Sequence, residues 1–452
     1  MGQQIEKLAQ FVAQTRWEDI PEAVQRQTKL VFLDTLGVIL AGSVRPEVHE
    51  LRERLAPGAG HGATVLARGW HSHDPRTAAL LNGIAGRAIE LCEGLRLYSG
   101  QAAMQVLPGV LAVAESASST GREMIAALAL GYDVAGRLCS AFTARPLAHQ
   151  NGQASLLGAA AAGARVRGLG APEVSRAMRI ATTLLLTPSY TNTVSGATAL
   201  NVAGGMSGFV GALAPELVLA GFEAQDDAIE EALGKMVGEG FKPEGVLDEL
   251  GTRWEITRNY FRLYACCNPI HPALDSLRAV LAELRPRPED VGRIDVATYR
   301  FASIMRNPDP PNYFASKYSL PHAAAVMVVR GNAGYGALDD AALRDPAVAA
   351  LRHRVHVTED PAMSAVAPRL RPARVTLTLK DGRQSTHACE SHRGDFQQPF
   401  ADSELREKFH ELAEVVLTPE GATHVERAVD RCDEWASVSE LTGLLRRYAR
   451  EG

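Results

Sequence analysis

Three histidines precede or open predicted helices, and imidazole is the side chain best suited to moving protons near neutral pH. His149 stands just before Asn151 and a helix rich in glycine and alanine. His271 comes directly before Pro272, which suits the first position of a helix, so its ring is predicted to lie at the positive end of that helix. His322 follows a Ser-Leu-Pro stretch that opens another helix. Each could act as an acid or base, or could be a helix cap or a buried structural histidine.

Two cationic side chains are candidates for binding a carboxylate. Arg262 stands with Tyr264 shortly before the pair Cys266-Cys267, in a stretch predicted to cross between domains. Because a guanidinium keeps its charge at neutral pH and donates parallel hydrogen bonds, Arg262 is assigned to carboxylate binding, with an interdomain salt bridge as the alternative. Lys317 is interpreted either as an anion-binding group or as a solvated charge.

Glu90 and Glu93 are three residues apart, which predicts that they share one face of a helix. They could supply the acidic groups of a site, or they could form the solvated end of that helix. The cysteines number six in 452 residues. They have neither a paired zinc-binding spacing nor the three-thiolate set of an iron–sulfur cluster, and therefore indicate reduced thiols. No metal site and no cofactor are predicted.

Charge and composition exclude several classes of partner. The net charge of −5 gives no broad positive surface for nucleic acid or an anionic membrane, so a small molecule is the expected partner. Uninterrupted apolar stretches fall short of the roughly 20 residues of a membrane helix, so no membrane span is expected. The amino terminus lacks a basic segment followed by an apolar one, and a cytoplasmic location is expected.

The pattern of elements predicts a multidomain fold. Over residues 1–265, and again over 400–452, apolar residues recur with helical spacing, which predicts a large, discontinuous all-α domain. Over residues 266–399, strand-like segments alternate with helices and predict a smaller α+β domain. Ala373–Leu379 and Gln384–Cys389 form the clearest strand pair, because an Asp-Gly hairpin signal lies between them.

One glycine-rich stretch, with Gly204, Gly205 and Gly208, has two possible interpretations. A phosphate-binding loop would need a preceding strand, and none is predicted. The stretch therefore predicts close packing between helices.

A series of short motifs runs through almost the whole chain. They are Asp34-Thr35-Leu36-Gly37, Asn82-Gly83 with Leu107-Pro108, Gly131-Tyr132-Asp133, His149 with Gly158-Ala159-Ala160, Arg262 to Cys267 with His271-Pro272-Ala273, Tyr318-Ser319-Leu320-Pro321-His322, Gly394-Asp395 with Pro399, and Lys408-Phe409. In this order and spacing the motifs resemble the MmgE/PrpD family, which includes 2-methylcitrate dehydratases, cis-aconitate decarboxylases and iminodisuccinate epimerases.

The resemblance implies a helical domain with an α+β lid, a homodimer, and an active site in the cleft between the domains. It aligns His149 with a histidine that faces substrate, as general base, with His271 or His322 as acid and Arg262 anchoring a carboxylate. The implied chemistry is cofactor-independent proton transfer next to a carboxylate of a small acid. Loss of a hydroxyl group would give a dehydratase, and loss of carbon dioxide a decarboxylase. Return of the proton would give an epimerase or isomerase, and a homologue that binds without turnover is a further alternative.

The chain departs from the family at several positions of the implied site. Glu90, Glu93 and Gln101 stand where relatives usually have an aspartate-rich run followed by a histidine. Thr198 and Asn201 stand where relatives commonly have lysine and histidine. Because a buried carboxylate without a cationic partner is costly, these departures predict a substrate with fewer carboxylates, or with other groups opposite these side chains.

Overall fold

A computed structural model describes residues 2–55, 60–98 and 100–450 of the chain. Its first part is a domain of packed helices around a large core rich in alanine, leucine and valine. These helices are α1 (Gly2–Gln14), α2 (Glu22–Gly42), α3 (Pro46–Leu55), α4 (Pro75–Ala88), α5 (Ala103–Ser116), α6 (Gly121–Ala141), α7 (Ala154–Val166), α8 (Ala171–Ala181), α9 (Thr191–Ser195), α10 (Leu200–Leu219) and α11 (Ala228–Glu231). Beside them lie two antiparallel pairs, β1 (Ala63–Thr64) with β2 (Ser72–His73) and β3 (Phe142–Ala144) with β4 (Gly238–Phe241).

Helix α10 packs against α4, α5 and α7 with its backbone almost in contact with theirs. A methyl group added at Gly83 of α4 would lie 2.7 Å from the Cα atom of Gly205, closer than packed side chains allow. One added at Gly163 of α7 would lie 1.9 Å from the carbonyl oxygen of Gly211. Glycine is therefore required on these facing surfaces, and the predicted helix packing of this stretch is confirmed.

The second part of the chain is built on a four-stranded mixed sheet in the order β6-β5-β7-β8. Strand β5 pairs in parallel with β6 and antiparallel with β7, and β7 forms an antiparallel hairpin with β8. The strands are β5 (Val291–Thr298), β6 (Val355–Glu359), β7 (Ala373–Leu379) and β8 (Gln384–Cys389). The helices are α12 (His271–Leu284), α13 (Arg300–Ser303), α14 (Tyr313–Ser316), α15 (Leu320–Arg330), α16 (Asp340–Arg344), α17 (Pro346–Arg352) and α18 (Pro361–Val366).

The chain returns to the helical domain through α19 (Asp402–Ala413), α20 (Pro419–Asp430) and α21 (Ser439–Arg447). Helix α19 packs along α2, where Lys408 donates a 2.5 Å hydrogen bond to the buried carboxylate of Asp34. Apolar side chains of all three helices belong to the core of the first domain. The last helices therefore stabilise the part of the fold to which the first helices belong.

The predicted combination of a helical domain and a smaller domain with a sheet is confirmed in this architecture. The hairpin of β7 and β8 occupies the predicted residues, and Gly382 adopts a positive φ of 90° in its turn. One prediction is wrong: Glu90 and Glu93 do not share a helical face, because α4 ends at Ala88 and Glu90 takes a φ of +52°. That backbone conformation cannot continue a helix.

Two helices are long and apolar enough, by length and composition, to cross a membrane, although polar residues interrupt both of them. They are α6 and α10, and a bent pair formed by α2 and α3 meets the same criterion. In the structure, the most apolar 18-residue stretch of α6 is 94% buried, and that of α10 is 61% buried. Both helices thus use most of their apolar surface in the protein core.

A buried ion pair on α6 gives a first testable prediction. Asp133 accepts hydrogen bonds from Arg137 Nε at 2.6 Å and from the backbone N–H of Glu255 at 2.8 Å. Replacing Asp133 with alanine leaves the fully buried guanidinium of Arg137 without an anion, so the free energy of unfolding should fall by about 3 kcal/mol. Urea unfolding followed by circular dichroism measures it. As a control, Asp295→Ala removes an exposed ion pair with Arg293 and should cost less than about 1 kcal/mol; equal losses would contradict the prediction.

Candidate active site

A pocket of about 220 Å³ opens where the helical domain meets the sheet domain. The end of α4, the segment after β3 and the residue before α9 form one side. The opposite side of the pocket is formed by the segment before α12, the start of α13 and the segment before β7. Its lining is Arg87, Glu90, Gln101, Ala144, Arg145, Pro146, Ala148, His149, Gln150, Tyr190, Tyr260, Arg262, Cys267, Asn268, Pro269, Phe301, Tyr318 and Arg371. This set is rich in cations and hydroxyl groups, which suits a small anionic molecule.

Glu90 joins three lining side chains into one network. Its carboxylate forms an ion pair with Arg87, accepts a 2.7 Å hydrogen bond from Arg262 Nη1, and accepts a 2.8 Å hydrogen bond from the Tyr318 hydroxyl. Arg262 also donates to the carbonyl oxygen of Cys92 at 2.6 Å. The strained backbone of Glu90 is therefore held by contacts with both domains, and one carboxylate balances part of the charge of two guanidiniums.

Arg371 is a further buried cation of the pocket, and it is held by neutral groups. It donates to the side-chain oxygen of Asn268 and, at 2.7 Å, to the carbonyl oxygen of Arg96. Within residues 2–55, 60–98 and 100–450, Arg371 forms no ion pair with a carboxylate. Since a buried charge without a counterion is costly, Arg371 is the group of this pocket best placed to accept an external anion.

A histidine behind the pocket orients the Asn268 amide. His392 Nδ1 lies 2.6 Å from the carbonyl oxygen of Arg393, so Nδ1 carries the hydrogen and Nε2 is free to accept. The Asn268 amide nitrogen lies 2.7 Å from His392 Nε2, so this nitrogen donates to the ring. The oxygen of the same amide is thereby directed toward Arg371.

His149 lines the pocket and is held in one orientation. Its Nδ1 accepts a 3.2 Å hydrogen bond from the backbone N–H of Asn151, so the neutral ring carries its hydrogen on Nε2. The ring stacks on Tyr190 with centroids 5.4 Å apart. Burial, with a smaller contribution from the charge of Arg87, lowers the pKa of His149 to about 3. The imidazole is therefore neutral at physiological pH in the unliganded pocket.

His271 and Tyr264 lie one layer away and do not line the pocket. His271 is the first residue of α12, as its position before Pro272 predicted, and its Nε2 lies 3.0 Å from the carbonyl oxygen of Cys266. Tyr264 donates to Asp275 at 2.8 Å and packs edge-on against the ring of His271. The structure thus places His149 and Arg262 in the lining of one cavity, whereas His271 and Tyr264 lie behind that lining.

His322 and Lys317 also lie outside the pocket lining, and both are fully buried. In the described part of the chain, neither ring nitrogen of His322 has a hydrogen-bond partner. Lys317 donates to the carbonyl oxygen of Leu338 and lies 4.1 Å from the centre of the Tyr313 ring. Burial lowers the pKa of Lys317 to about 7. The interpretation of Lys317 as a solvated charge is therefore wrong.

The remaining predicted residues have different surroundings. Gln101 lines the pocket. Glu93 is fully buried behind it, where it accepts hydrogen bonds from the Ala103 backbone at 2.9 Å and from the Tyr132 hydroxyl, and burial raises its pKa to about 7. Asn201 is buried and does not line the pocket, whereas Thr198 is exposed. The described residues also contain no group of three or more metal-binding side chains.

Sequence reasoning missed several lining residues. Arg87 had a usable signal, since it lies three residues before Glu90 and could have been considered as its partner. Arg371 had none, because it lies in a loop and its role depends on groups far away in the chain. Tyr190 had no signal either, because its ring contacts His149 only through the packing of two loops.

Three buried histidines predict a protein that loses stability in mild acid. Burial lowers the pKa of His322 to about 3, that of His392 to about 4, and that of His271 well below its ordinary value. The unfolded chain therefore binds more protons than the folded chain below about pH 6.5. As the pH falls from there toward about 4, each histidine should lower the free energy of unfolding by up to about 1.4 kcal/mol per pH unit.

Urea unfolding at several pH values tests this expectation. His392→Gln should reduce the slope of stability against pH by about one proton, and His353→Gln, at an exposed position, is the matched control. Stability that stays constant between about pH 6.5 and 5 would contradict the prediction.

Both halves of the chain match models of one family, and the chain belongs to it. The MmgE/PrpD N-terminal domain matches residues 6–242, and the MmgE/PrpD C-terminal domain matches residues 264–434. The resemblance found in the motifs is thereby confirmed. The second match begins at Tyr264, in the segment that also contains Cys267 and leads into the second domain.

The curated relatives include several cis-aconitate decarboxylases. The chain is 25% identical to the cis-aconitate decarboxylase-like protein oryM of Aspergillus oryzae, over 97% of this chain and 96% of the relative. It is 24% identical to the cis-aconitate decarboxylase of Aspergillus terreus, over 95% and 93%, and 22% identical to that of Homo sapiens, over 94% and 91%. The similarity covers nearly the full length of each protein and supports a lyase-type enzyme.

Proposed function

We propose that this chain is a cofactor-independent lyase that removes carbon dioxide from a small carboxylic acid with at least one further carboxylate. The observation that carries the proposal is the guanidinium of Arg371, which forms no ion pair with a carboxylate of the described residues, in the same pocket as the neutral imidazole of His149. The names of the relatives, which are cis-aconitate decarboxylases, favour decarboxylation over dehydration or epimerisation. The combination of an anion site and a proton-transfer group is what such a reaction requires.

Decarboxylation breaks the bond between a carboxylate carbon and its neighbour. The electron pair stays on the substrate, where a second carboxylate or a conjugated double bond delocalises it, and a carbon atom of the substrate then takes up one proton. In our proposal Arg371 binds the carboxylate that remains, and Arg262 and Arg87 stabilise the charge that develops. Their positions are held by Asn268 and Glu90 before substrate arrives.

His149 is proposed as the residue that supplies the proton. Its neutral ring has Nε2–H available because Nδ1 already accepts from Asn151. A bound carboxylate should raise the pKa of the ring from its low value, since a nearby anion favours the imidazolium. The ring then takes a proton from solvent at Nδ1, which gives up its hydrogen bond from Asn151, and passes the Nε2 proton to carbon. This role as donor differs from the general base that the sequence suggested, and it is the role that decarboxylation needs.

Turnover in deuterium oxide tests the proposal. The protein is incubated with cis-aconitate and a panel of unsaturated and hydroxylated di- and tricarboxylic acids, with NMR of the products and trapping of carbon dioxide. We expect release of carbon dioxide with one deuterium on carbon. A new double bond without carbon dioxide would identify a dehydratase, and deuterium in an otherwise unchanged acid an epimerase. Tight binding without turnover would identify a binding protein; each of these three results overturns the decarboxylase.

A further inference from the structure

A second concavity of about 520 Å³ lies next to the candidate active site, on the surface of the sheet domain. Its walls come from the start of α13 and from the segment between α18 and β7. Phe301, Ile304, Ala367 and Pro368 give it an apolar surface. Phe301 is 40% exposed and Ile304 is 50% exposed, so two large apolar side chains of this groove face solvent. We call this surface the α13 groove.

The α13 groove and the active-site pocket share two residues, Phe301 and Arg371. The Phe301 ring also packs against Tyr190 of the helical domain, with centroids 5.1 Å apart, and Tyr190 stacks on His149. A ligand whose carboxylate reaches Arg371 therefore has the α13 groove directly beside it. The pocket alone, at about 220 Å³, is smaller than a typical ligand site of roughly 300 to 1,000 Å³, and the α13 groove extends it.

The end of the α13 groove nearest Arg371 contains a polar group without a partner. The Tyr299 hydroxyl is buried and, among the described residues, forms no hydrogen bond. Because an unsatisfied buried hydroxyl is costly, a polar ligand atom that came within hydrogen-bond distance of it would be stabilised. The α13 groove thus changes from polar beside Arg371 to apolar at Ile304 and Pro368, as a carboxylate with an attached hydrocarbon chain would require.

We propose that the substrate is a carboxylic acid bearing an alkyl chain, with its carboxylates in the pocket and its chain along Phe301 and Ile304. The inference rests on the proposed function, since it assigns the substrate class of the same site. Ile304 becomes a specificity-determining residue that never touches the reacting carbons.

Binding of a homologous series tests the proposal independently of turnover. The probes are 2-methylsuccinate, 2-butylsuccinate and 2-hexylsuccinate, and the dissociation constant of each is measured by isothermal titration calorimetry. Each added methylene that leaves water for an apolar surface should lower Kd about fourfold. In Ile304→Asp the dependence on chain length should be lost, because a carboxylate then lies where the chain would pack.

A matched control is Leu219→Asp, which places the same charge at a 54% exposed leucine that lines neither cavity. It should retain the full dependence on chain length. A Kd independent of chain length in the unmodified protein overturns the inference, and so does a dependence that survives in Ile304→Asp. Self-association of the chain that Ile304→Asp abolishes, with a flat Kd series, would assign the α13 groove to a second copy and likewise overturn it.

The two proposals fail in distinguishable ways. If the alkyl acids bind with the expected dependence on chain length and no acid is decarboxylated, the proposed reaction is wrong and the assignment of the α13 groove stands. If cis-aconitate is decarboxylated and the Kd series is flat, the reaction stands and the substrate class is wrong.

Discussion

Replacing His149 with alanine is expected to lower kcat by a factor of about 100 to 10,000, the range that positioned acid–base groups contribute. Among the described residues His149 is the histidine that lines the pocket, and His271 and His322 lie outside the lining, so no neighbouring imidazole is placed to replace it. The side chain lies at the cavity surface and makes its stacking contact with Tyr190, so the fold should survive. Steady-state kinetics with the best acid of the panel, together with circular dichroism, measures both effects.

The control for this experiment is His353→Ala, which removes an exposed histidine paired with Asp309 and should leave kcat unchanged. His149→Gln provides a second comparison, because its amide can donate a hydrogen bond but cannot transfer a proton. If His149→Ala or His149→Gln retains more than about half of the activity, His149 is not the proton-transfer residue.

A second large effect is expected on substrate binding: replacing Arg371 with glutamine should raise KM about a hundredfold. The substitution removes the one buried guanidinium of the pocket that has no carboxylate partner in the described ranges. A bound carboxylate would then lack its counterion, and removal of one partner of a buried charge pair costs about 2 to 5 kcal/mol. Arg371→Lys keeps the charge but loses the planar pair of donors, so its KM should lie between the two.

Arg374→Gln is the matched control, because Arg374 is a half-exposed arginine three residues further on that pairs with Asp360. Its KM should match that of the unmodified protein. A KM for Arg371→Gln within threefold of the unmodified value would mean that the substrate carboxylate binds elsewhere, with Arg262 or Arg87 as the next candidates.

The parts of the fold that depend on neighbouring residues could be predicted from the sequence. Strands β7 and β8 occupy the predicted residues because alternation of apolar and polar side chains and an Asp-Gly turn are both local signals. The parallel pairing of β5 with β6 could not be predicted, because the two strands are separated by five helices and no turn specifies their register. Local patterns thus identified the elements, and packing between distant segments decided their arrangement.

The same distinction holds for the candidate site. His149, Arg262, Glu90 and Gln101 were found because their side chains or their place in the motifs point to acid chemistry, and all four line one pocket. The helix through Glu90 was predicted too long, since ion pairs with Arg87 and Arg262 hold that residue in a conformation that local propensity disfavours. These ion pairs, together with the hydrogen bond from Tyr318 of the other domain, therefore override the helical pattern at the point where the pocket begins.

The glycine contacts of α10 have a consequence for the electric field in the pocket. Helix α4 carries Arg87 in its last turn, and the same helix is fixed against α10 where Gly83 meets Gly205. Two backbones this close can neither slide nor rotate without collision, so the guanidinium is fixed as soon as the helices pack. Bringing the cationic side chains of the pocket together against their mutual repulsion costs free energy, and this cost is met during folding. The cations therefore need little reorganisation in each catalytic cycle.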